Sequence, residues 1–210
     1  MKPKLRRGRP SKQTAEILTT AVLDEATSLF LEQGYAVTSM EAIATAAGVG
    51  KHTLYRRFPD KATMFGAAMM RGASDIETAV DAHDARPPLQ RLRTLTATVF
   101  DRAMRPEMVR FMRVIIAEGP RFPELAEMLR EQGGSQAFVA TKTLIREAQI
   151  AGALRAGDPE WLARSFLFLS IGMPLHRLLT GSAEYADPKT RTEHLERTWR
   201  LFIHGAGPAK

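Results

Sequence analysis

Residues 38–61, TSMEAIATAAGVGKHTLYRRFPDK, predict two short helices joined by a tight turn. Thr38 and Glu41 have the spacing of a capping box, in which a hydroxyl accepts from a backbone N–H three residues on and a carboxylate reaches back to the cap. Gly48 is expected to end the first helix, and Gly50 to open the second. The rest of the chain is organised around this stretch.

The second helix has an apolar side and a basic side. Leu54 and Phe58 are four residues apart, so they share one face and are expected to pack inward. The outward surface carries cations, an imidazole and a phenol, which are side chains that contact base edges and phosphates in the major groove of DNA. A basic, solvated helix in an ordinary bundle is the alternative, but it does not explain the cap and the Gly-Val turn. Together the two helices predict a helix-turn-helix.

The stretch and the helix before it resemble the DNA-binding domain of the TetR family of bacterial transcriptional regulators. The matching residues are Ile17, Leu29, Phe30, Gly34, Tyr35, Thr38, Ile43, Ala44, Ala47, Gly48, Val49, Lys51, Thr53, Leu54, Tyr55, Phe58, Lys61 and Met64. Gly50 stands where the family often has serine, and His52 stands where it commonly has a small residue. In the family a lysine at the start of the fourth helix contacts a phosphate, and Lys61 matches that position.

Eight residues of this region are the predicted DNA contacts. They are Thr38, Lys51, His52, Thr53, Tyr55, Arg56, Arg57 and Lys61. Lys51, His52 and Arg56 are the candidates for base edges. Thr38, Tyr55 and Lys61 are the candidates for phosphates.

Charge is concentrated at the start of the chain. The net charge is +7, and residues 1–71 hold 11 Lys and Arg against 6 Asp and Glu. Residues 1–12 carry six cations and no acid, which predicts a flexible basic arm. Within it, Arg7-Gly8-Arg9-Pro10 resembles the core of an AT-hook, so Arg7 and Arg9 are expected to contact phosphates or the minor groove. A solubilising tail is the alternative.

Composition excludes several classes of function. The chain of 210 residues has no cysteine, so it has no disulfide framework and no thiolate nucleophile. It has no phosphate-binding loop, no G-x-S-x-G elbow and no metal-spaced His cluster. No apolar run reaches the length of a membrane span, and no signal peptide is recognisable. We therefore expect a cytoplasmic protein that is not an enzyme and needs no cofactor or metal.

Helical periodicity continues to the end of the chain, and strand alternation is absent, which predicts an all-α fold. The expected domains are a helix-turn-helix domain over 13–59 and a regulatory and dimerisation domain over 60–210. Its first helix, 60–80, is capped by Asp60 and connects the two. Tyr35 and Val37 are expected in the core of the first domain. Further helices are predicted over 89–104, 107–118, from 123, 135–150, 159–180 and 188–204.

One segment, SFLFLSIGMPL over 165–175, has no charge. A surface helix would show a polar face there, so we expect burial against the core and a second subunit, although a simple core helix is the alternative. In the TetR family the last two helices form a four-helix dimer bundle. The expected interface residues are Phe166, Leu169, Met173, Leu195, Trp199 and Phe202. A two-fold dimer requires a near-palindromic operator with recognition helices about 34–36 Å apart, and Pro174 is expected to kink its helix.

Methionine and phenylalanine recur in the regulatory domain, where they suit an adaptable apolar pocket or an ordinary core. The expected ligand contacts are Phe100, Met104, Met108, Phe111, Met112, Ile115 and Phe138. The stretch RVIIAEGPRFPELAEM resembles AcrR-type regulators of the family, which implies a small hydrophobic effector. The sequence thus predicts a homodimeric repressor released from DNA by a ligand. Its alternative is a constitutive DNA-binding or adaptor protein, and activation instead of repression stays open.

Overall fold

The computed structural model describes residues 12–71, 84–128 and 135–207. These residues form helices and no strand, which confirms the all-α prediction. The α-helices are α1 Lys12–Gln33, α2 Met40–Ala46, α3 Lys51–Arg57, α4 Lys61–Met69, α5 Pro88–Ala103, α6 Pro106–Glu118, α7 Pro123–Met128, α8 Ser135–Ile150, α9 Pro159–Leu167, α10 Met173–Leu179 and α11 Pro188–Ala206. A π-helical segment, Phe168–Gly172, joins α9 to α10, and a short 3-10 turn, Glu184–Ala186, precedes α11.

The chain divides into two compact units, Met1–Arg71 and Gly72–Lys210. In the first unit α1 packs against α2 and α4, and α2 packs against α3. Three aromatic rings form its centre, since the Phe65 ring lies 4.9 Å from Phe30 and 5.4 Å from Tyr35, both edge to face. Val37, expected beside Tyr35, is instead 71% exposed. The prediction for Val37 was therefore wrong.

The fourth helix is shorter than the predicted 60–80 helix. Asp60 caps it as expected, because its carboxylate accepts from the Thr63 N–H at 2.7 Å. The helix ends at Met69, where Met70 and Arg71 leave helical geometry. Since α4 packs on α1, it belongs to the first unit. The remainder of the predicted helix, 72–80, lies outside the described residues.

The second unit is built on α5, α8, α9 and α11. Its core contains Leu95, Ile145, Phe166 and Phe202, all buried. The predicted starts of these helices are confirmed where aspartate caps them. Asp158 accepts from the Glu160 N–H at 2.9 Å to open α9.

Pro174 acts differently from the expected simple kink. A proline in a helix removes one internal hydrogen bond and crowds the carbonyl four residues back. Here the helix widens into the π segment Phe168–Gly172 just before Pro174, and α10 follows without a gap. The wider turn changes which residues face inward, because it shifts the helical register.

Candidate nucleic-acid interface

The turn between α2 and α3 depends on Gly48. This residue has φ +64°, a conformation that costs other residues energy. The Val49 N–H then donates to the Ala44 carbonyl at 2.9 Å, which closes the end of α2. Gly50 precedes α3 with extended geometry and provides no side-chain cap. The predicted helix-turn-helix is therefore present, with the expected helix ends.

The third helix presents its basic side to solvent. Leu54 and Phe58 are buried, as predicted, and fix the inner side of α3. Thr53 is half-buried at the margin. The other expected contacts of this helix are exposed: Lys51, His52, Tyr55, Arg56 and Arg57. Five side chains able to reach phosphates or base edges thus project from one short helix, whose inner side is buried through Leu54 and Phe58.

Glu41 of α2 joins two of these side chains. The Tyr55 hydroxyl donates to Glu41 Oε1 at 3.3 Å, and Lys51 Nζ lies 3.5 Å from the same oxygen. The pKa of Glu41 is lowered, first by its backbone hydrogen bond and further by Lys51 and Tyr55. The pKa of Tyr55 is raised, by partial desolvation and by the Glu41 charge. The carboxylate is thus ionised at neutral pH and orients both contact residues.

Ser39, not Thr38, caps α2. The Ser39 hydroxyl accepts from the Ala42 N–H at 3.1 Å, so the Thr38–Glu41 capping box was wrong by one residue. Thr38 is 1% exposed, and its hydroxyl donates to the Gly34 carbonyl at 2.7 Å. It thereby ties the end of α1 to the start of α2. A phosphate contact from the Thr38 hydroxyl conflicts with this burial, whereas Ser39 is exposed at the same end of the helix.

Lys61 lies half-buried at the start of α4. Its ammonium donates to the Tyr35 carbonyl at 2.8 Å and lies 4.3 Å from the centre of the Tyr35 ring. Lys61 therefore stabilises the α1–α2 connection in this structure. Arg7 and Arg9, the expected arm contacts, lie outside the described residues.

The expected ligand contacts fall into two places. Phe100, Met104, Phe111 and Ile115 are buried, and Met108 and Met112 are half-buried. Phe138 packs instead against the core of α5, α8, α9 and α11, with the Arg164 guanidinium 4.6 Å from its ring centre. The contact of each with a ligand stays a prediction.

Two of the expected interface residues belong to the core of the protomer. Phe166 and Phe202 are buried with ring centres 4.2 Å apart, so the interface prediction for them was wrong. Leu195 and Trp199 are half-buried. Leu169 and Met173 are exposed, as an interface would require.

Sequence reasoning missed the most exposed aromatic side chains of this region. Phe168 is 75% exposed on the π segment, and Trp161 and Leu201 are also exposed. An added Cβ on Gly172 would come within 3.0 Å of the Phe168 ring, so this glycine makes room for it. The seven-residue spacing of Trp161 and Phe168 on one side of the helix was the signal available in the sequence.

Among the described residues no group of His, Asp and Glu could hold a metal ion. Within the same ranges no helix is long and apolar enough to cross a membrane.

Comparison with known proteins supports the helix-turn-helix assignment. Residues 22–68 match the family model described as bacterial regulatory proteins, tetR family, and residues 90–205 match the AefR-like transcriptional repressor C-terminal domain. The HTH-type transcriptional regulator AcrR of Shigella flexneri is 33% identical over 111 residues, which are 51% of this chain and 52% of that protein. The chain thus spans about half the length of this curated relative in the match.

Two solved structures have the same fold over nearly all of the chain. The flavonoid-responsive regulator FrrA is 29% identical, with a TM-score of 0.70 over 93% of this chain and 100% of that one. A TetR transcriptional regulator from Agrobacterium tumefaciens is 24% identical, with a TM-score of 0.68 over 92% of this chain and 96% of that one. With both units matched by family models and a glycine turn supporting an exposed basic helix, the chain belongs to the TetR family of bacterial regulatory proteins.

Proposed function

We propose that the chain is a homodimeric transcriptional repressor in the cytoplasm, without enzymatic activity. It binds a near-palindromic DNA operator through α3 and is released by a small apolar or amphipathic ligand. The single observation that carries the DNA-binding part is the surface of α3, with Leu54 buried beneath and Lys51, Tyr55 and Arg56 exposed above.

The roles within this surface follow from position and chemistry. Lys51, His52 and Arg56 reach base edges in the major groove, where arginine and lysine recognise guanine. Tyr55 and Arg57 contact phosphates, and Ser39 adds its hydroxyl at the exposed start of α2. Lys61 contacts a phosphate after its ammonium leaves the Ala36 carbonyl, which lies 3.4 Å from it, and Thr38 positions α2 from beneath.

The dimer is supported by the apolar surface of the last helices. Phe168, Leu169 and Met173 are exposed on consecutive turns, and Leu201 is exposed on α11. Large apolar side chains grouped in this way are typical of an interface between protein chains. A two-fold arrangement presents two copies of α3 to successive major grooves.

Release by a ligand is supported by the relatives and by the aromatic and methionine content of α5 and α6. FrrA is named for its response to flavonoids, so a planar aromatic ligand is a reasonable first probe for this chain. Ligand binding would change the separation of the two recognition helices. A coupling free energy of about 1–3 kcal/mol suffices for such regulation.

Fluorescence anisotropy with labelled DNA from upstream of the protein's own gene tests the proposal. We expect tight, sequence-selective binding whose affinity falls steeply with salt. Arg56→Ala should relax sequence selectivity, while Lys189→Ala, which removes an exposed lysine of α11, should change nothing. Addition of a flavonoid to the bound complex then tests release.

Equal binding to unrelated DNA, unchanged in Arg56→Ala, would refute sequence-specific recognition. Selective binding that no apolar or amphipathic compound reverses would instead favour a constitutive DNA-binding protein. A monomer at micromolar concentration in sedimentation would refute the dimer.

A further inference from the structure

A small cavity lies inside the second unit, between α5, the π segment and α11. Its volume is about 70 Å³, and its lining includes Arg93, Ala97, Phe166, Ser170 and Trp199. Neither Phe100 nor Phe111, two of the ligand contacts expected from the sequence, lines it. The cavity therefore needs its own explanation.

Ser170 is a polar residue of the lining. The residue is fully buried, and its hydroxyl has no hydrogen-bond partner among the described residues. A serine in a helix often donates to the carbonyl four residues back, but Ser170 lies in the middle of the π segment and makes no such bond. A buried hydroxyl without a partner is unfavourable, so an oxygen or nitrogen placed beside it would be stabilised.

The neighbouring polar groups are already engaged. His194 Nε2–H donates to the Ser170 carbonyl at 3.0 Å, and the Thr96 hydroxyl donates to the Leu92 carbonyl at 2.7 Å. The Ser170 hydroxyl is thus a fully buried donor of the lining without a partner among the described residues. An occupant that accepts one hydrogen bond fits this arrangement.

The other walls are apolar. Phe166, Ala97 and Leu195 surround the cavity, and the Trp199 ring packs edge to face with Phe166 at 5.9 Å. At the rim Arg93 pairs with Glu196, so the two charges offset each other there. A neutral occupant is favoured, because the buried part of the cavity offers no counter-charge.

Size limits the occupant. A water molecule takes about 30 Å³ in the liquid, so 70 Å³ corresponds to about two waters or about four non-hydrogen atoms. A short-chain alcohol fits this volume. The hydroxyl-bearing end of a longer amphipathic molecule also fits, if its remainder passes the rim.

We propose that this cavity is a binding site for a neutral, oxygen-bearing apolar molecule whose oxygen accepts a hydrogen bond from Ser170. As an effector site it deepens the proposed ligand response and rests on that function. Binding itself depends only on the fold of the second unit. The site lies against α11 and the π segment, which carry the exposed apolar residues of the proposed dimer.

Trp199 provides a direct readout, because the chain has two tryptophans and Trp161 is exposed. In the full chain with Trp161→Phe, the remaining tryptophan fluorescence is titrated with propan-1-ol and with hexan-1-ol. We expect a saturable change. Saturation by propan-1-ol identifies a small free ligand, and saturation by hexan-1-ol alone identifies a longer amphipathic one.

The role of the hydroxyl is tested by Ser170→Ala in the same background, with Ser165→Ala as the matched control. Loss of one hydrogen bond should weaken binding about tenfold in Ser170→Ala and leave Ser165→Ala unchanged. The melting temperature of Ser170→Ala should not fall, since the hydroxyl has no partner to lose. This comparison separates a binding role from a structural one.

Three results would overturn the proposal. One is a fluorescence change that never saturates and is the same in Ser170→Ala. Another is a marked drop in the melting temperature of Ser170→Ala, and the third is a crystal soaked with either alcohol that shows only water beside Ser170. DNA is absent from these measurements, so failure of DNA binding would leave this result intact.

Discussion

The Tyr55 hydroxyl donates to Glu41 Oε1 across 3.3 Å and thereby links the two helices of the helix-turn-helix. Lys51 lies against the same oxygen at 3.5 Å. Both partners are proposed DNA contacts, and the carboxylate carries a negative charge close to where phosphates would approach. Glu41 therefore orients these side chains in the free protein, and its negative charge repels the DNA phosphates.

Glu41→Gln should tighten DNA binding. The amide keeps the size of the side chain and can still accept from Tyr55, but it removes the like charge, so affinity should rise about fivefold at low salt and less at high salt. Anisotropy titrations at two salt concentrations measure this. Glu160→Gln, at a half-buried carboxylate of the second unit that pairs with Arg164 and Lys142, serves as the control and should have no effect on DNA binding. Weaker binding by Glu41→Gln would mean that the ionised carboxylate is needed for orientation.

Gly48→Ala should destabilise the protein. An added Cβ meets no atom within 4 Å, so the cost comes from φ +64° alone and should be about 1–2 kcal/mol. Urea denaturation measures the free energy of unfolding. Gly50→Ser is the comparison, because this position has φ −70° and precedes α3, where serine is a favourable cap. Equal stability of Gly48→Ala and the natural protein would show that the turn relaxes to another conformation.

The helices and the outward surface of α3 were predictable because they depend on local patterns. Aspartate caps, glycine breaks and helical spacing act within a few residues. Thr38 and Ser39 show where such patterns stop, since both hydroxyls suit a cap and only the packing of α1 on α2 buries one of them. Lys61 is similar, because its contact with the Tyr35 carbonyl joins residues distant in sequence.

The uncharged segment 165–175 marks a second limit. Its lack of polar residues hides which side faces inward, and the π turn before Pro174 then shifts the register. Phe166 lies in the core and Phe168 in solvent. Residues two apart lie on opposite faces of a helix, so the spacing separates them, but it does not say which face is buried when neither face is polar. The cavity at Ser170 was equally beyond reach, because it depends on how three helices pack.

Asp84 should make a pH-dependent contribution to stability. Hydrogen bonds from the Arg86 side chain and backbone lower the pKa of Asp84 to about 2. A depressed pKa stabilises the fold above the pKa of the unfolded chain, so the contribution should be complete above about pH 5 and decline between about pH 4 and pH 2. Melting temperatures of the natural protein and Asp84→Asn should differ by a few degrees at most at pH 6, since the Arg86 side chain of the pair is 49% exposed. A difference as large at pH 2 as at pH 6 would contradict the ion pair.

Alanine substitutions at Phe166 and Phe168 should have different effects, the first on folding stability and the second on dimerisation. Phe166→Ala removes a buried ring that packs on Phe202, and it should lower the free energy of unfolding by about 3–5 kcal/mol. Phe168→Ala removes an exposed ring, so the protomer should keep its helical content while the dimer dissociates at higher protein concentration. Circular dichroism and analytical ultracentrifugation measure the two effects. Two linked helix-turn-helix domains bind a palindrome far more tightly than one. Phe168→Ala should therefore also weaken binding to the full operator, while the affinity for a single half-site stays the same. An unchanged sedimentation coefficient for Phe168→Ala across the concentration range would place the dimer surface elsewhere on the second unit.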